Sequence, residues 1–298
     1  MIVANIHELT GSDFVLAKSR AYWELLKFRL SFLVAFSCAF GFVLASATTN
    51  WINLAMLFLG GFLLSGASVI INQIIEKDLD KLMTRTMHRP LPTDRVSVSE
   101  ATTLALACML AGVSILVIYT NMLTTILSVV SLILYAFVYT PLKRVGPVAV
   151  LVGAIPGALP PLLGWVAATG SISHEALIIF GIQFIWQFPH FWAIAWVSDD
   201  DYKKAGFKLL PSGGKKDLNT AMQIMIYTMF LIPMGLLPAT FGITGINSAI
   251  IVTVCGVLFF AQTFSLMKSG DRRSALKIMF GSFMYLPLVQ IAYLLDKV

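Results

Sequence analysis

The chain has 298 residues, 58% of them hydrophobic and only 12% charged, with a formal net charge of +6 and a mean hydropathy of +0.84. A soluble domain carries about a quarter charged residues, so this composition excludes a water-soluble globule. The positive balance marks the cytoplasmic face of a membrane protein rather than a nucleic-acid partner.

Nine continuous apolar runs, each near the length that crosses a bilayer, predict helices rather than alternating barrel strands. The expected fold is all-α: a polytopic membrane protein with nine transmembrane helices, forming a single membrane domain over residues 1–298. Cys38, Cys108 and Cys255 lie singly within spans, without metal-type spacing or a disulfide framework.

Residues 1–27 read as a polar cytoplasmic tail. Glu8, Asp13 and Glu24 within it argue against a transit peptide, and no cleavable signal is evident. Span 1 lies near 28–47. Span 2, near 51–75, contains Gly60, Gly61, Gly66, Ala67 and Ser68, small residues that allow close helix approach or leave room for a ligand.

Span 2 runs into the first acidic cluster. Asn72, Glu76 and Asp80 are spaced i, i+4, i+8 and share a helix face, while Asp78 lies about 200° around from Glu76. Carboxylates so spaced repel one another unless a cation sits between them. Carboxylate and amide oxygens suit Mg2+, which is usually held by one or two carboxylates plus substrate phosphates. The loop at 76–100 then supplies Arg85 and Arg89, whose guanidinium groups match phosphate in bidentate fashion. Acids and arginines together read as a Mg2+–diphosphate site.

Spans 3 and 4 lie near 101–119 and 122–140, followed by Lys143 and Arg144. Span 5, near 147–168, holds Pro156, Pro160 and Pro161 among several glycines, which is expected to kink or break a helix. Such irregularity is tolerated at membrane depth where it lines a cavity or packs inside protein.

Span 6, near 175–197, contains His190, eleven residues before Asp201. That separation is three turns plus about 20°, which sets His190 on the face of Asp201, deeper in one cleft. An ionisable residue inside a span is a functional hypothesis by default. The loop at 198–218 opens on the second acidic cluster, Asp199, Asp200 and Asp201. Asp200 and Asp201 are candidates for a second Mg2+, and Lys204, one turn on, for a phosphate contact. Spans 7, 8 and 9 lie near 219–241, 246–267 and 276–295.

The distribution of basic residues checks this count. Of the 21 Lys and Arg, all but Lys297 fall in the tail, in the connections after spans 2, 4, 6 and 8, or at the edges of spans 1 and 9 that adjoin them. The other connections carry none. A nine-span chain with its N-terminus and both acidic loops in the cytoplasm, and its C-terminus opposite, satisfies the positive-inside rule. Acid clusters that hold metal, a basic clamp and an apolar interior suit a prenyl diphosphate, with the tail in the bilayer-depth cavity. Aromatic residues such as Tyr135, Tyr139, Phe191 and Trp192 are then placed to face an allylic cation. A transporter would instead place ionisable residues near the bilayer midplane.

The pattern Asn72, Glu76, Asp78, Asp80, Met83, Arg85, Thr86, Arg89, Pro90 resembles the first aspartate-rich motif of the UbiA superfamily of intramembrane prenyltransferases. More narrowly, three stretches resemble the protohaem IX farnesyltransferases. They are Tyr139 to Arg144; Gly157 to Trp165 with Thr169 and Gly170; and Pro189 to Trp192 with Asp201, Tyr202, Ala205, Gly206, Leu210 and Pro211. Together these cover residues 70–212.

The resemblance implies a nine-helix fold, a cytoplasm-facing site, Mg2+ dependence and location in the cell (inner) membrane. It further implies transfer of farnesyl from farnesyl diphosphate to a vinyl group of haem b, with addition of water, giving haem O and pyrophosphate. Asn72, Glu76 and Asp80 would hold one Mg2+ and Asp200 and Asp201 the other. Arg85, Arg89, Lys143, Arg144 and Lys204 would contact the diphosphate, and His190 would lie near the haem. A haem A synthase or oxidase-assembly protein is a candidate partner. An aromatic quinone precursor is the alternative acceptor. Glu76 departs from the family's usual aspartate, and the valine pair that usually follows Leu210-Pro211 is missing.

Overall fold

The computed structural model describes residues 11–298; residues 1–10 of the expected tail lie outside it. Nine helices among the described residues are long and apolar enough to cross a membrane, and no strands are present among them. The spans are α2 (Phe28–Ala45), α3 (Trp51–Ile75), α5 (Val98–Tyr119), α8 (Val148–Thr169), α9 (His174–Val197), α11 (Leu218–Thr240), α12 (Ile246–Ser269), α13 (Arg272–Leu295) and the composite span Met122–Leu142. That composite joins α6 (Met122–Ile133), a π-helical stretch (Leu134–Tyr139) and α7 (Thr140–Leu142). Three further helices lie outside the spans: α1 (Gly11–Leu25), α4 (Lys77–Asp80) and α10 (Asp199–Lys204).

Side chains terminate the helices where the sequence offers a cap. Ser97 and Glu100 form a reciprocal capping box at the start of α5. Asn50, Asn121, Asp217 and Asp271 each accept backbone N–H groups at the starts of α3, α6, α11 and α13.

The proline-rich span is one continuous helix and the most buried of the nine. Its expected break is repaired by neighbours. Pro160 has no N–H for the Pro156 carbonyl, and Ser131 Oγ donates to that oxygen at 3.5 Å. Pro161 likewise frees the Gly157 carbonyl, which accepts from Gln183 Nε2 at 2.8 Å. Gln183 is itself held by Ser37 (2.9 Å) and Gln290 (3.0 Å), so α2, α8, α9 and α13 share one buried polar knot. Inside a bilayer a freed carbonyl finds no water, so such donors come from adjacent helices.

Replacing Gln183 with leucine is expected to cost about 1 kcal/mol, the usual scale for interhelical hydrogen bonds in membranes. The cost should appear as a lower thermal aggregation midpoint in detergent.

The tail contributes more than polarity. Helix α1 lies against the loop that follows α3 and clamps it. Glu24 pairs with Arg95 through two bonds of 3.1 and 2.7 Å, and Arg95 also donates to the His88 carbonyl at 2.7 Å. Lys18 donates to the Arg95 carbonyl at 2.9 Å and reaches Glu100, which also accepts from Tyr22. Beneath this clamp Ala21, Leu25, Ile70, Leu91 and Val96 form a small apolar core. The loop is thereby fixed to the end of α3, where the first acidic cluster begins.

Candidate active site

The backbone bonds Glu76 N to the Asn72 carbonyl (3.0 Å) and Asp80 N to the Glu76 carbonyl (2.8 Å) carry the helical repeat across the boundary between α3 and α4. Asn72, Glu76 and Asp80 therefore stack on successive turns, and all three are buried. Asn72 Nδ2 donates to Thr140 Oγ1 at 3.0 Å. That hydroxyl in turn donates to the Tyr135 carbonyl at 2.9 Å, inside the π-helical stretch. An i→i+5 turn shifts the residues after it around the helix, and such turns recur at functional sites. Lys143 lies just beyond it and reaches Glu76, with Nζ 2.9 Å from Oε1 and 3.2 Å from Oε2. The same Nζ lies 4.8 Å from the Tyr139 ring centroid and 5.7 Å from that of Phe207. Burial works against the Lys143 charge, but Glu76 more than offsets it and holds the ammonium above its ordinary value.

Asp80 is fully buried and accepts from Arg89 Nη1 at 2.7 Å. Two carboxylate oxygens remain without a hydrogen bond. Asp80 Oδ1 has none, and Glu76 Oε1 lies close to Lys143 but off the donor direction. A buried, unspent carboxylate oxygen is costly unless something else takes it. The free Asp80 oxygen and the Glu76 carboxylate one turn before it, beside a buried amide, match the hard oxygen donors that Mg2+ takes. The residues present thus fit a divalent cation.

The second cluster meets the first through the loop. Asp201 Oδ1 accepts from the Thr84 amide at 3.1 Å and Oδ2 from the Arg85 amide at 3.0 Å. Lys204 bridges Asp201 and Thr84 Oγ1, both at 3.1 Å. Partial burial would raise the Asp201 carboxyl, but these hydrogen bonds prevail and hold it at about 2. A carboxyl lowered on folding stabilises at pH values above its unfolded value, about 4, and that stability fades as pH falls toward 2. Hydrogen exchange at the Thr84 and Arg85 amides, corrected for the intrinsic rate, is therefore expected to stay protected down to about pH 4 and to lose protection below it.

The Arg85 side chain is exposed and reaches the Tyr202 hydroxyl at 3.5 Å. Arg144 lines a cleft of about 410 Å³ together with Ile75, Glu76, Leu79, Thr140, Pro141 and Val145. His190 lies deeper. Its Nδ1 is 2.9 Å from Ser282 Oγ, and its ring stacks on Trp186 at 4.2 Å and approaches Phe191 and Phe283 at 5.5 and 5.2 Å. Phe191 continues to Tyr139 at 6.2 Å, so an aromatic path links His190 to the Lys143–Glu76 pair.

Two of the expected metal ligands face solvent in this structure. Asp78 is 89% exposed at its side chain and pairs with Lys81, because it lies on the solvent side of α4. Asp200 is exposed on α10, and the inward aspartate there is Asp199, buried against Lys203 (2.8 Å) and Lys216 (3.3 Å). Among the described residues no three His, Cys, Asp or Glu side chains converge on one point.

Sequence reasoning also missed Lys27. It stands between α1 and α2, half-buried. Burial first, then Arg89 and Lys143, push it down to about 7. In the sequence it is one more tail lysine beside an apolar run, and its only signal is position.

Residues 34–286 match the UbiA prenyltransferase family, and the chain belongs to that family of enzymes. It is 51% identical over 280 residues to the protoheme IX farnesyltransferase of Cytophaga hutchinsonii, covering 94% of this chain and 98% of that one. It is 46% identical to that of Christiangramia forsetii, covering 92% of each. Among solved structures, a digeranylgeranylglyceryl phosphate synthase superposes with a TM-score of 0.77 at 18% identity, covering 94% of this chain and 98% of that one. A UbiA homologue from Archaeoglobus fulgidus, bound to DMAPP and Mg2+, superposes with a TM-score of 0.65 at 16% identity, covering 91% and 98%. Both share the fold.

Proposed function

We propose that this protein transfers farnesyl from farnesyl diphosphate to a vinyl group of haem b, with addition of water, to give haem O and pyrophosphate. The observation that carries the chemistry is the pair of buried carboxylates Glu76 and Asp80, stacked one turn apart beside Lys143 and Arg89, with Asp80 Oδ1 left without a partner. The near-full-length identity to protoheme IX farnesyltransferases supports the choice of donor and acceptor.

Asn72, Glu76 and Asp80 would hold one Mg2+, and Asp201 a second. When bound, Mg2+ neutralises the diphosphate and eases its departure. Lys143 and Arg89, which pair with Glu76 and Asp80 in this structure, would contact the phosphate oxygens were those carboxylates to hold Mg2+. Arg85, Arg144 and Lys204 complete the clamp, each from a different edge of the site. As the carbon–oxygen bond to the diphosphate breaks, the rings of Tyr139 and Phe191 shield the allylic cation from water. The vinyl carbon of haem attacks that cation. Water then adds to the cation left on the haem and loses a proton, which leaves a hydroxyl. His190, with Nδ1 fixed by Ser282, faces the acceptor. The whole chain acts as one domain in the inner membrane, with its basic face and the loops at 76–100 and 198–218 toward the cytoplasm.

The acceptor is tested by competition. Purified protein given Mg2+, farnesyl diphosphate and equal haem b and 4-hydroxybenzoate should prenylate haem alone. Farnesylation of the aromatic acid with haem untouched would keep the diphosphate site and discard the acceptor.

A further inference from the structure

Gln187 is a buried amide that nothing else in the fold uses. It lies inside α9, is 5% exposed, and makes no hydrogen bond among the described residues. Gln183, one turn deeper, is fully engaged: it donates to the Gly157 carbonyl and accepts from Ser37 and Gln290. An unsatisfied amide inside a bilayer-crossing helix is costly, since lipid tails offer it no partner. Both Gln187 amide atoms stay open, whereas Trp192 Nε1 and the Tyr285 hydroxyl are enclosed without a partner. An open amide with donors and an acceptor free suits a small polar guest.

The packing of α8 fixes where that amide lies. A Cβ on Gly153 would meet the Tyr139 ring at 2.6 Å, and a Cβ on Gly157 would meet Gln187 Nε2 at 2.6 Å. These glycines are one turn apart, so Tyr139 and Gln187 lie against one face of α8, about 6 Å apart along its axis. Phe191, one turn after Gln187 on α9, approaches the Tyr139 ring at 6.2 Å. Gln187 is therefore the polar group one turn beneath the two rings that shield the allylic cation. His190 follows it at i+3, a neighbour on the helix surface. Ser282 Oγ donates its single proton to the Met279 carbonyl at 2.6 Å, so the 2.9 Å bond between Ser282 and His190 Nδ1 is donated by the imidazole. In the neutral ring that tautomer leaves Nε2 as a free acceptor.

We propose that Gln187 is a catalytic residue for hydration, whose amide holds the water that adds to the haem cation. The inference rests on the farnesyl-to-haem reading of the site. Transfer bonds the terminal vinyl carbon to farnesyl and leaves the positive charge on the vinyl carbon attached to the macrocycle. The held water gives an electron pair to that carbon, a C–O bond forms, and the proton it sheds passes to His190 Nε2. Where no water is held, the same cation loses a proton from the adjacent CH2 to that nitrogen and becomes an alkene. Gln187 thus selects between two products of one intermediate: a hydroxylated haem, and a haem lighter than it by one water.

The test reads that choice. Gln187→Met keeps the reach of the side chain and removes the amide. Given haem b, farnesyl diphosphate and Mg2+, it should still release pyrophosphate, and the ratio of dehydrated to hydroxylated haem should rise about 10-fold, the effect of one lost hydrogen bond. Gln187→Leu carries the same expectation if the methionine variant does not fold. Gln187→Glu keeps oxygen acceptors at the same reach and should keep the hydroxylated product. Gln183→Leu loosens the same helix crossing, so it should lower the thermal midpoint and leave the product ratio where it was. An unchanged ratio in a folded Gln187→Met protein overturns the proposal. So does an equal shift in Gln183→Leu, or loss of pyrophosphate release in folded Gln187→Met. Wild-type protein that leaves haem unprenylated overturns the reading beneath it.

Discussion

Asp80→Asn is expected to lower prenyl transfer by at least about 10²- to 10³-fold, the usual cost of removing one preorganised group that stabilises charge in the transition state. The substitution keeps the shape of the side chain and removes the charge a cation needs. It also has a structural cost, because Asp80 is fully buried and Arg89 would lose its partner. Removing one member of a buried pair costs about 3–5 kcal/mol. Arg89 keeps 20% of its side chain exposed, so the lower end applies. The two effects can be separated. Adding Arg89→Met to Asp80→Asn removes the stranded cation and is expected to recover stability. It should not recover activity. Recovery of both would reduce Asp80 to a structural counter-ion.

The second large effect is on the fold. At the crossing of α2 and α8, a Cβ on Gly164 would overlap the Cys38 carbonyl oxygen, and one on Gly41 would overlap the Pro161 carbonyl. The obstacle is backbone in both cases, so no rotamer change relieves it. Gly164→Ala should therefore sit at or beyond the upper end of the about 1–3 kcal/mol cost of overpacking. The two helices must part along the seam that positions Gln183 and the Gly157 carbonyl. The measurements are the yield of monodisperse protein and its thermal midpoint. A midpoint equal to wild type would show that the close approach does not hold the helices together. Gly61, whose Cβ would only graze Ala35, is the matched control.

Much of the architecture could be read from hydropathy and charge. The span bounds differ from those expected by only a few residues, because length and apolarity alone define a bilayer-crossing helix. The stacking of Asn72, Glu76 and Asp80 was legible for a similar reason: helical periodicity is local. What escaped depends on contacts distant in sequence. Asp78 and Asp200 carry the same functional group as their neighbours, and only the rotation of two short helices, α4 and α10, turns them to solvent. The continuity of α8 depends on Ser131 and Gln183 from other spans. The π-helical stretch and the left-handed turn at Lys27 are backbone states with no composition signature. The expected tail was read as polar, yet α1 makes ion pairs with a loop some 70 residues later.

The central claim is that the buried carboxylates serve a metal-assisted transfer of farnesyl to haem. The most direct test gives purified protein haem b, farnesyl diphosphate and Mg2+, and follows pyrophosphate release together with the mass of the haem product. The expected result is pyrophosphate release and a haem heavier by one farnesyl and one hydroxyl group, both dependent on Mg2+ and both lost in Asp80→Asn. Haem of unchanged mass, or a product formed equally well without a divalent cation, would contradict it.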